Sequence, residues 1–155
     1  MTDLRPCQLS DFAIVASWIK SEVECRLWCG TRVSYPIDVA TLPDALGYTA
    51  CDSWTLTVNR DVAAFGQLLP RPAGRLHLAR LIAAPDRRGE GLGRLIAAHM
   101  LERALAQEPA VVSLNVLTQN KPALALYESL GFVPATRPPE EPQIPSMYMV
   151  YSLNT

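Results

Sequence analysis

Between residues 75 and 107 three patterns follow one another without a break. RLHLARLIAA is a long aliphatic strand run, and DRRGEGLGR places three glycines in five positions. LGRLIAAHMLERALAQ then brings Leu92, Leu95, Ile96 and Met100 to helical spacing. A strand that feeds a helix through so short a loop must bury that helix against a sheet face. Glycines this dense also permit a backbone approach that side chains would block. The start of a helix leaves free N–H groups at the positive end of its dipole, so strand, glycine turn and helix together make an anion site.

The remaining segments fill out a mixed sheet. LRPCQL is a short first strand, and Ser10 is placed to cap a helix over DFAIVASWIKSEVE, with Phe12, Val15, Ala16 and Ile19 on one face. CRLWCGTRVSYPID reads as irregular, broken by Gly30 and Pro36, and a short helix near VATLPDALG ends at Gly47. SWTLTV, the turn NRD and VAAFGQLLP form a hairpin, and RPAG turns the chain into the long strand RLHLARLIAA. AVVSLNVLT is another strand. Asn120 caps KPALALYESL, Pro122 sits harmlessly in its first turn, and Gly131 ends it. FVPATRPPEEPQIP is a proline-rich excursion before the last strand, SMYMVYSL. Two strand–helix alternations in the second half predict an α/β fold with helices on the faces of one mixed sheet. A chain of 155 residues suits one domain, 1–155.

The charges nearly cancel, at a formal net −1, which gives no reason to expect nucleic acid as a partner. No stretch reaches the roughly 20 apolar residues of a membrane helix, and MTDLRPCQLSDF does not read as a signal peptide. No second pair and no nearby histidine completes a zinc set around Cys25 and Cys29. Cys7, Cys25, Cys29 and Cys51 are expected as reduced, unligated thiols in a cytoplasmic protein, with no metal and no membrane partner.

Two familiar phosphate loops do not fit the glycines. The Walker pattern needs Gly-Lys-Ser/Thr, whereas Gly93 is followed by Arg94 and Leu95. The dinucleotide fingerprint started at Gly89 or Gly91 meets Arg94 or Ile96 where a small residue is needed. RRGEGLG instead matches Arg/Gln-x-x-Gly-x-Gly/Ala, read as Arg88, Gly91 and Gly93. HLARLIAAPDRRGEGLGRLIAAHMLERAL followed by VSLNVLTQNKPALALYESLGF resembles the core of the GNAT family of N-acetyltransferases, in the right order and at the right separation. The N-terminal third resembles that family only in its order of elements.

The resemblance implies a single mixed, mostly antiparallel sheet flanked by helices, with acetyl-CoA as cofactor. Backbone N–H groups of Arg88, Gly89, Glu90, Gly91, Leu92, Gly93 and Arg94 would cradle its pyrophosphate. Leu81, Ile82 and Ala83 would hydrogen-bond the pantetheine arm. Arg87 would pair with a 3′-phosphate or be a surface charge. Asn120 would cap its helix, contact the cofactor, or both. Tyr127 stands where the family has a tyrosine near the CoA sulfur, to protonate the departing thiolate; otherwise it is an aromatic on the core face of its helix. His77 stands where several members carry a basic glutamate, so it is the candidate general base, against a structural strand histidine or proton loss to water. Strict alternation would put His77, Ala79 and Leu81 on one face and Leu76, Leu78 and Arg80 on the other.

The acceptor side would be formed by EVECRLWCGTRVSYP and ATRPPEEPQIPS. Glu22, Glu24, Trp28, Tyr35, Glu140 and Glu141 there form an acid and aromatic rim suited to a cationic amine, unless the acids are only solubilising. The implied activity is transfer of an acetyl group to a primary amine of a small molecule or peptide, by direct attack in a ternary complex, in a monomer or homodimer. The alternative is a non-catalytic acyl-CoA-binding sensor, to which a tyrosine by the sulfur would be of no use.

Overall fold

The computed structural model describes residues 1–141 and 145–152. Seven strands form one sheet: β1 (Thr2–Pro6), β2 (Asp52–Val58), β3 (Asp61–Arg71), β4 (Arg75–Ala83), β5 (Val111–Val116), β6 (Phe132–Pro134) and β7 (Met147–Tyr151). Their spatial order is β1-β2-β3-β4-β5-β7-β6. Every neighbouring pair is antiparallel except β4 with β5. The helices are α1 (Asp11–Ser17), α2 (Glu22–Cys29), α3 (Leu42–Ala45), α4 (Leu92–Ala106) and α5 (Lys121–Leu130). The mixed, helix-flanked sheet is therefore as the sequence predicts.

Each face has its own apolar core. Ile96, Met100, Leu101 and Ala104 of α4 close over Leu56, Ala64, Leu68 and Leu78 of the sheet, with α5 packed alongside. On the other face, Phe12 and Val15 of α1, Cys25 and Trp28 of α2, and Leu42 of α3 cover Phe65. The β2–β3 hairpin turns on Asn59 and Arg60 at φ 49° and 75°. Positive φ at both central residues suits the twist of a two-residue hairpin.

Three segments depart from expectation, each for a local reason. The helix expected over 11–24 is two helices, because Ser21 accepts the amide of Glu24 at 3.1 Å while Glu24 Oε1 accepts that of Lys20 at 2.7 Å. This reciprocal capping starts α2 afresh, and α2 runs into the CRLWC stretch expected to be irregular. Ser10 makes no capping bond; the buried Asp11 instead accepts from Gln8 N at 2.8 Å, Arg5 at 2.7 Å and Thr55 at 2.9 Å. The proline-rich excursion begins as the edge strand β6, where Pro134 removes a donor the sheet does not need. Leu153, the end of the expected last strand, lies outside the described residues.

Two irregularities of β4 position the site. Its pairing with β5 covers only Arg75↔Val111, Leu76↔Val112 and His77↔Ser113, and beyond this the two strands part. Against β3, Gln67 faces Ala79 but Phe65 faces Ile82, so two residues, Arg80 and Leu81, oppose the single Gly66. Arg80 sits at φ 56° in this bulge. A bulge breaks the period-2 alternation. Leu81 thus turns to the α4 face, where it lies beside Gly66 and Met100. Arg80 joins the opposite face and donates to Gln67 Oε1 at 2.5 Å. The alternation expected for 76–81 is corrected at these two residues.

Candidate active site

Where β4 and β5 separate, a cavity of about 660 Å³ opens. One wall is Leu81, Ile82 and Ala83, continued by Ala84 and Pro85; the floor is Arg87, Arg88, Gly89, Gly91, Leu92 and Gly93. Asn120 at the start of α5 closes one end. The opposite wall comes from the α1–α2 corner, with Trp18, Ile19, Lys20, Glu24, Leu27 and Trp28. The volume is in the range of a pocket for a cofactor-sized ligand.

The loop fits an anionic group that must come close to the backbone. Gly91 caps α4 at φ 73°, and no side chain caps this helix. The amides of the first turn, Leu92, Gly93 and Arg94, therefore point to an outside acceptor. A Cβ built on Gly89, Gly91 or Gly93 would meet no atom within 4 Å, so all three face open space. Gly89 and Gly91, at φ 89° and 73°, hold a conformation that glycine adopts without strain. Arg87 and Arg88 both line the floor, and Arg87 is also held by Asp61 and Glu90, both at 3.3 Å. Glu90 is exposed and Arg94 reaches Ser129 Oγ at 2.6 Å, so neither side chain lines the cavity. The wall of β4 offers main-chain groups that β5 does not pair.

Asn120 both caps and lines, its Oδ1 accepting the amide of Ala123 at 3.3 Å. Tyr127, two turns later on the same face of α5, is not itself among the cavity-lining residues; it packs edge-on to Phe132 with centroids 6.1 Å apart. It joins the buried cluster that Leu81 and Ala83 also contact. Burial pushes its hydroxyl up to about 12, so it is a neutral donor at pH 7.

His77 does not line the cavity. It is 4% exposed, with Nδ1 2.8 Å from Ser113 Oγ and Nε2 3.3 Å from Asn115 Nδ2. Arg137 donates to Asn115 Oδ1 at 3.0 Å, which orients the amide so that its NH₂ faces His77. Nε2 therefore accepts and Nδ1 carries the proton. Burial, which outweighs the attraction of Glu141, and the cations of Arg71, Arg75 and Arg80 bring His77 down to about 4. The candidate base is thus a neutral, enclosed imidazole in the part of the sheet where β4 and β5 are still paired, apart from the residues that line the cavity.

The acid rim is also redistributed. Glu141 is 2% exposed and pairs with Arg75 at 2.6 Å and Arg71 at 3.3 Å. It anchors the 135–141 segment to β3 and β4 instead of facing solvent. Glu22 bonds Arg26 at 2.6 Å and, with Tyr35, borders a separate recess of about 310 Å³. Glu140 is exposed. Of the expected acceptor residues, the cavity brings in Trp28 and Glu24, the former donating its indole N–H to Arg80 O at 2.9 Å. The contributions of Trp18, Ile19, Lys20 and Leu27 were missed, although the Ser21-x-x-Glu24 capping signal marks the corner that places them. None of the four thiols lines the cavity. Among the described residues no group of side chains is arranged to hold a metal, and no helix is long and apolar enough to cross a membrane.

A family model described as the acetyltransferase (GNAT) family matches residues 16–132. The chain is 36% identical over 86 residues to the ribosomal protein bS18-alanine N-acetyltransferase of Escherichia coli strain K12, a match covering 54% of this chain and 56% of that protein. It thus spans little more than half the length of that curated relative. Among solved structures, AAC(6′)-Ib in complex with ribostamycin and coenzyme A superimposes with a TM-score of 0.75 at 20% identity, covering 98% of this chain and 93% of that one. The spermidine N-acetyltransferase of Vibrio cholerae, in complex with CoA and spermine, gives a TM-score of 0.75 at 17% identity, covering 96% and 92%. At these identities the two structures establish the shared fold.

Proposed function

Because the chain belongs to the GNAT family of acetyltransferases, we propose that it is an acetyl-CoA-dependent N-acetyltransferase acting on a primary amine, its site carried by the single domain 1–155. The observation that carries this is the cavity itself: an uncapped α4 N-terminus over three glycines that face open space, continuous with unpaired β4 backbone at Leu81–Ala83. Bound acetyl-CoA supplies the acetyl thioester, whose carbonyl carbon bonds to the acceptor nitrogen as its bond to sulfur breaks.

The chain's own groups do the rest. Amides of Gly91 to Arg94 hold the pyrophosphate with the α4 dipole behind them. A backbone N–H at Leu81 or Ile82 donates to the developing oxyanion, and Trp28, Trp18 and Leu27 exclude water from the opposite wall. The hydroxyl of Tyr127 donates to the departing sulfur. Desolvation raises a thiolate and a phenol alike, so the two stay matched enough for this hydrogen bond to strengthen as charge grows. Water takes the ammonium proton, and His77 has a structural role. Attack is direct: burial pushes Cys7 up to about 11 and Cys29 up to about 12, which makes them poor nucleophiles.

The test is calorimetric binding of acetyl-CoA, followed by release of CoA thiol with a panel of amines. Binding together with amine-dependent thiol release is expected. Binding without release for any amine would favour a CoA-binding sensor, and no binding would overturn the assignment.

A further inference from the structure

Next to the cavity wall the chain holds a positive charge, Arg80, that the transfer reaction does not use. Arg80 is half-buried, and its backbone carbonyl accepts the indole N–H of the cavity residue Trp28. The bulge turns its side chain away from the α4 core to the face covered by α1–α3. Its protein partner there is neutral. Gln67, fully buried, donates its amide NH₂ to Leu46 O at 3.0 Å and Ser53 Oγ at 2.9 Å, which commits Oε1 to Arg80. Among the described residues no carboxylate lies within 4 Å of Arg80 or Arg32. Burial, and after it the charge of Arg32, hold Arg80 below its ordinary value. Glu141 is taken by Arg75 and Arg71.

A guanidinium has five donors. One is satisfied by Gln67, and the rest are partly withdrawn from water, next to further cations. Such a charge is costly to keep unless something anionic meets it. The planar fork of arginine suits a carboxylate or phosphate, which it binds with two parallel hydrogen bonds. Arg80 is also held at a φ that a non-glycine residue rarely adopts, so the fold maintains this aim at a cost in backbone strain.

We propose that Arg80, supported by Arg32, is an anion subsite on the acceptor side of the cavity, so that the amine acetylated here carries a carboxylate or phosphate group. This rests on the assignment of the cavity as an acetyltransferase site and names its substrate class. It reverses the expectation of a cationic acceptor drawn from the acid rim. Arg80 does not itself line the cavity, but its carbonyl holds the lining residue Trp28, and its side chain lies on the α1–α3 face, which supplies the opposite wall; an acceptor that reaches Leu81–Ala83 from that side would extend its anionic end toward the guanidinium. Glu24 is the carboxylate that lines the cavity, and it is bound to the Lys20 amide.

The experiment compares matched acceptors in the CoA-release assay: glycyl-aspartate amide against glycyl-asparagine amide, β-alanine against β-alaninamide, phosphoethanolamine against ethanolamine, and spermidine as the polycation. Rates are compared at equal concentrations of free amine. In wild type at least one anionic member should exceed its neutral partner in kcat/KM by about 10- to 100-fold, the value of a charge-assisted hydrogen bond. The pair that does so identifies whether a peptide carboxylate, a small amino carboxylate or a phosphate is the source. Arg80→Gln should bring that ratio close to one, with acetyl-CoA affinity retained. Arg32→Ala, at an exposed position, should lower it part-way and keeps the test open if Arg80→Gln does not fold. Neutral amines or spermidine turned over as well as the anionic ones would overturn the anion subsite while leaving the acetyltransferase assignment standing. A preference unmoved in both variants would do the same. Failure to bind acetyl-CoA would remove both.

Discussion

Replacing His77 with glutamine separates a structural histidine from a general base. In the fold His77 is neutral down to about 4, against 6.5 for an exposed histidine. The folded value is the lower one, so the unfolded chain takes up a proton that the folded protein refuses as pH falls below about 6.5. Stability is intact above that pH and is lost progressively toward pH 4. The gap is about 2.5, and at about 1.4 kcal/mol for each pKa unit the loss is on the order of 3 kcal/mol. In a protein of this size that is a fall in melting temperature of about 6–12 °C. Glutamine does not titrate. Thermal unfolding followed by circular dichroism from pH 7 to pH 4 should therefore show a steeper decline in wild type than in His77→Gln, whatever constant offset the substitution adds. In the acetylation assay the rising limb of kcat/KM should persist in the variant and follow the basicity of the acceptor. Parallel melting curves would refute the buried neutral imidazole. Parallel curves together with loss of the kinetic limb would restore His77 as the base.

Gly91→Val should fold yet fail to bind acetyl-CoA in calorimetry at concentrations that saturate wild type, because a branched side chain at φ 73° is strained and projects into the space above the loop; undiminished affinity in a folded variant would contradict the pyrophosphate cradle. Tyr127→Phe should lower kcat by on the order of 100-fold with little change in acetyl-CoA affinity, since the hydroxyl acts as sulfur departs while the ring keeps its contact with Phe132; equal turnover at saturation would leave Tyr127 a core aromatic. Glu141→Gln removes the carboxylate between Arg75 and Arg71. It should cost about 3–5 kcal/mol at pH 7, seen as a lower urea midpoint. Glu141 is held below the usual carboxylate range by its hydrogen bond from Arg75 and the surrounding charges, despite burial. Its contribution is thus present above about 4.3 and fades as pH falls below that, so the difference from wild type should narrow in acid.

The glycine loop and the two helices after it were legible because their signals are local. Gly89 and Gly91 sit where the backbone needs positive φ, the α4 stripe repeats every three to four residues, and Asn120 and Gly131 bound α5 at the expected residues. Turn residues and apolar runs likewise placed the hairpin and the long fourth strand. What only the tertiary structure decided is where side chains go once the regular period fails. The extra residue at Arg80–Leu81 arises from pairing opposite Gly66, fourteen and fifteen residues away, and it exchanges the faces of these two side chains, of which Leu81 lines the cavity. Glu141, read from its proline-rich surroundings as a rim acid, is drawn under the sheet by two arginines from β3 and β4. His77 has an unremarkable strand position. Its neutrality comes from being enclosed by Ser113, Asn115 and Glu141, which no local pattern connects to it, since desolvation and pairing depend on neighbours brought together only by folding.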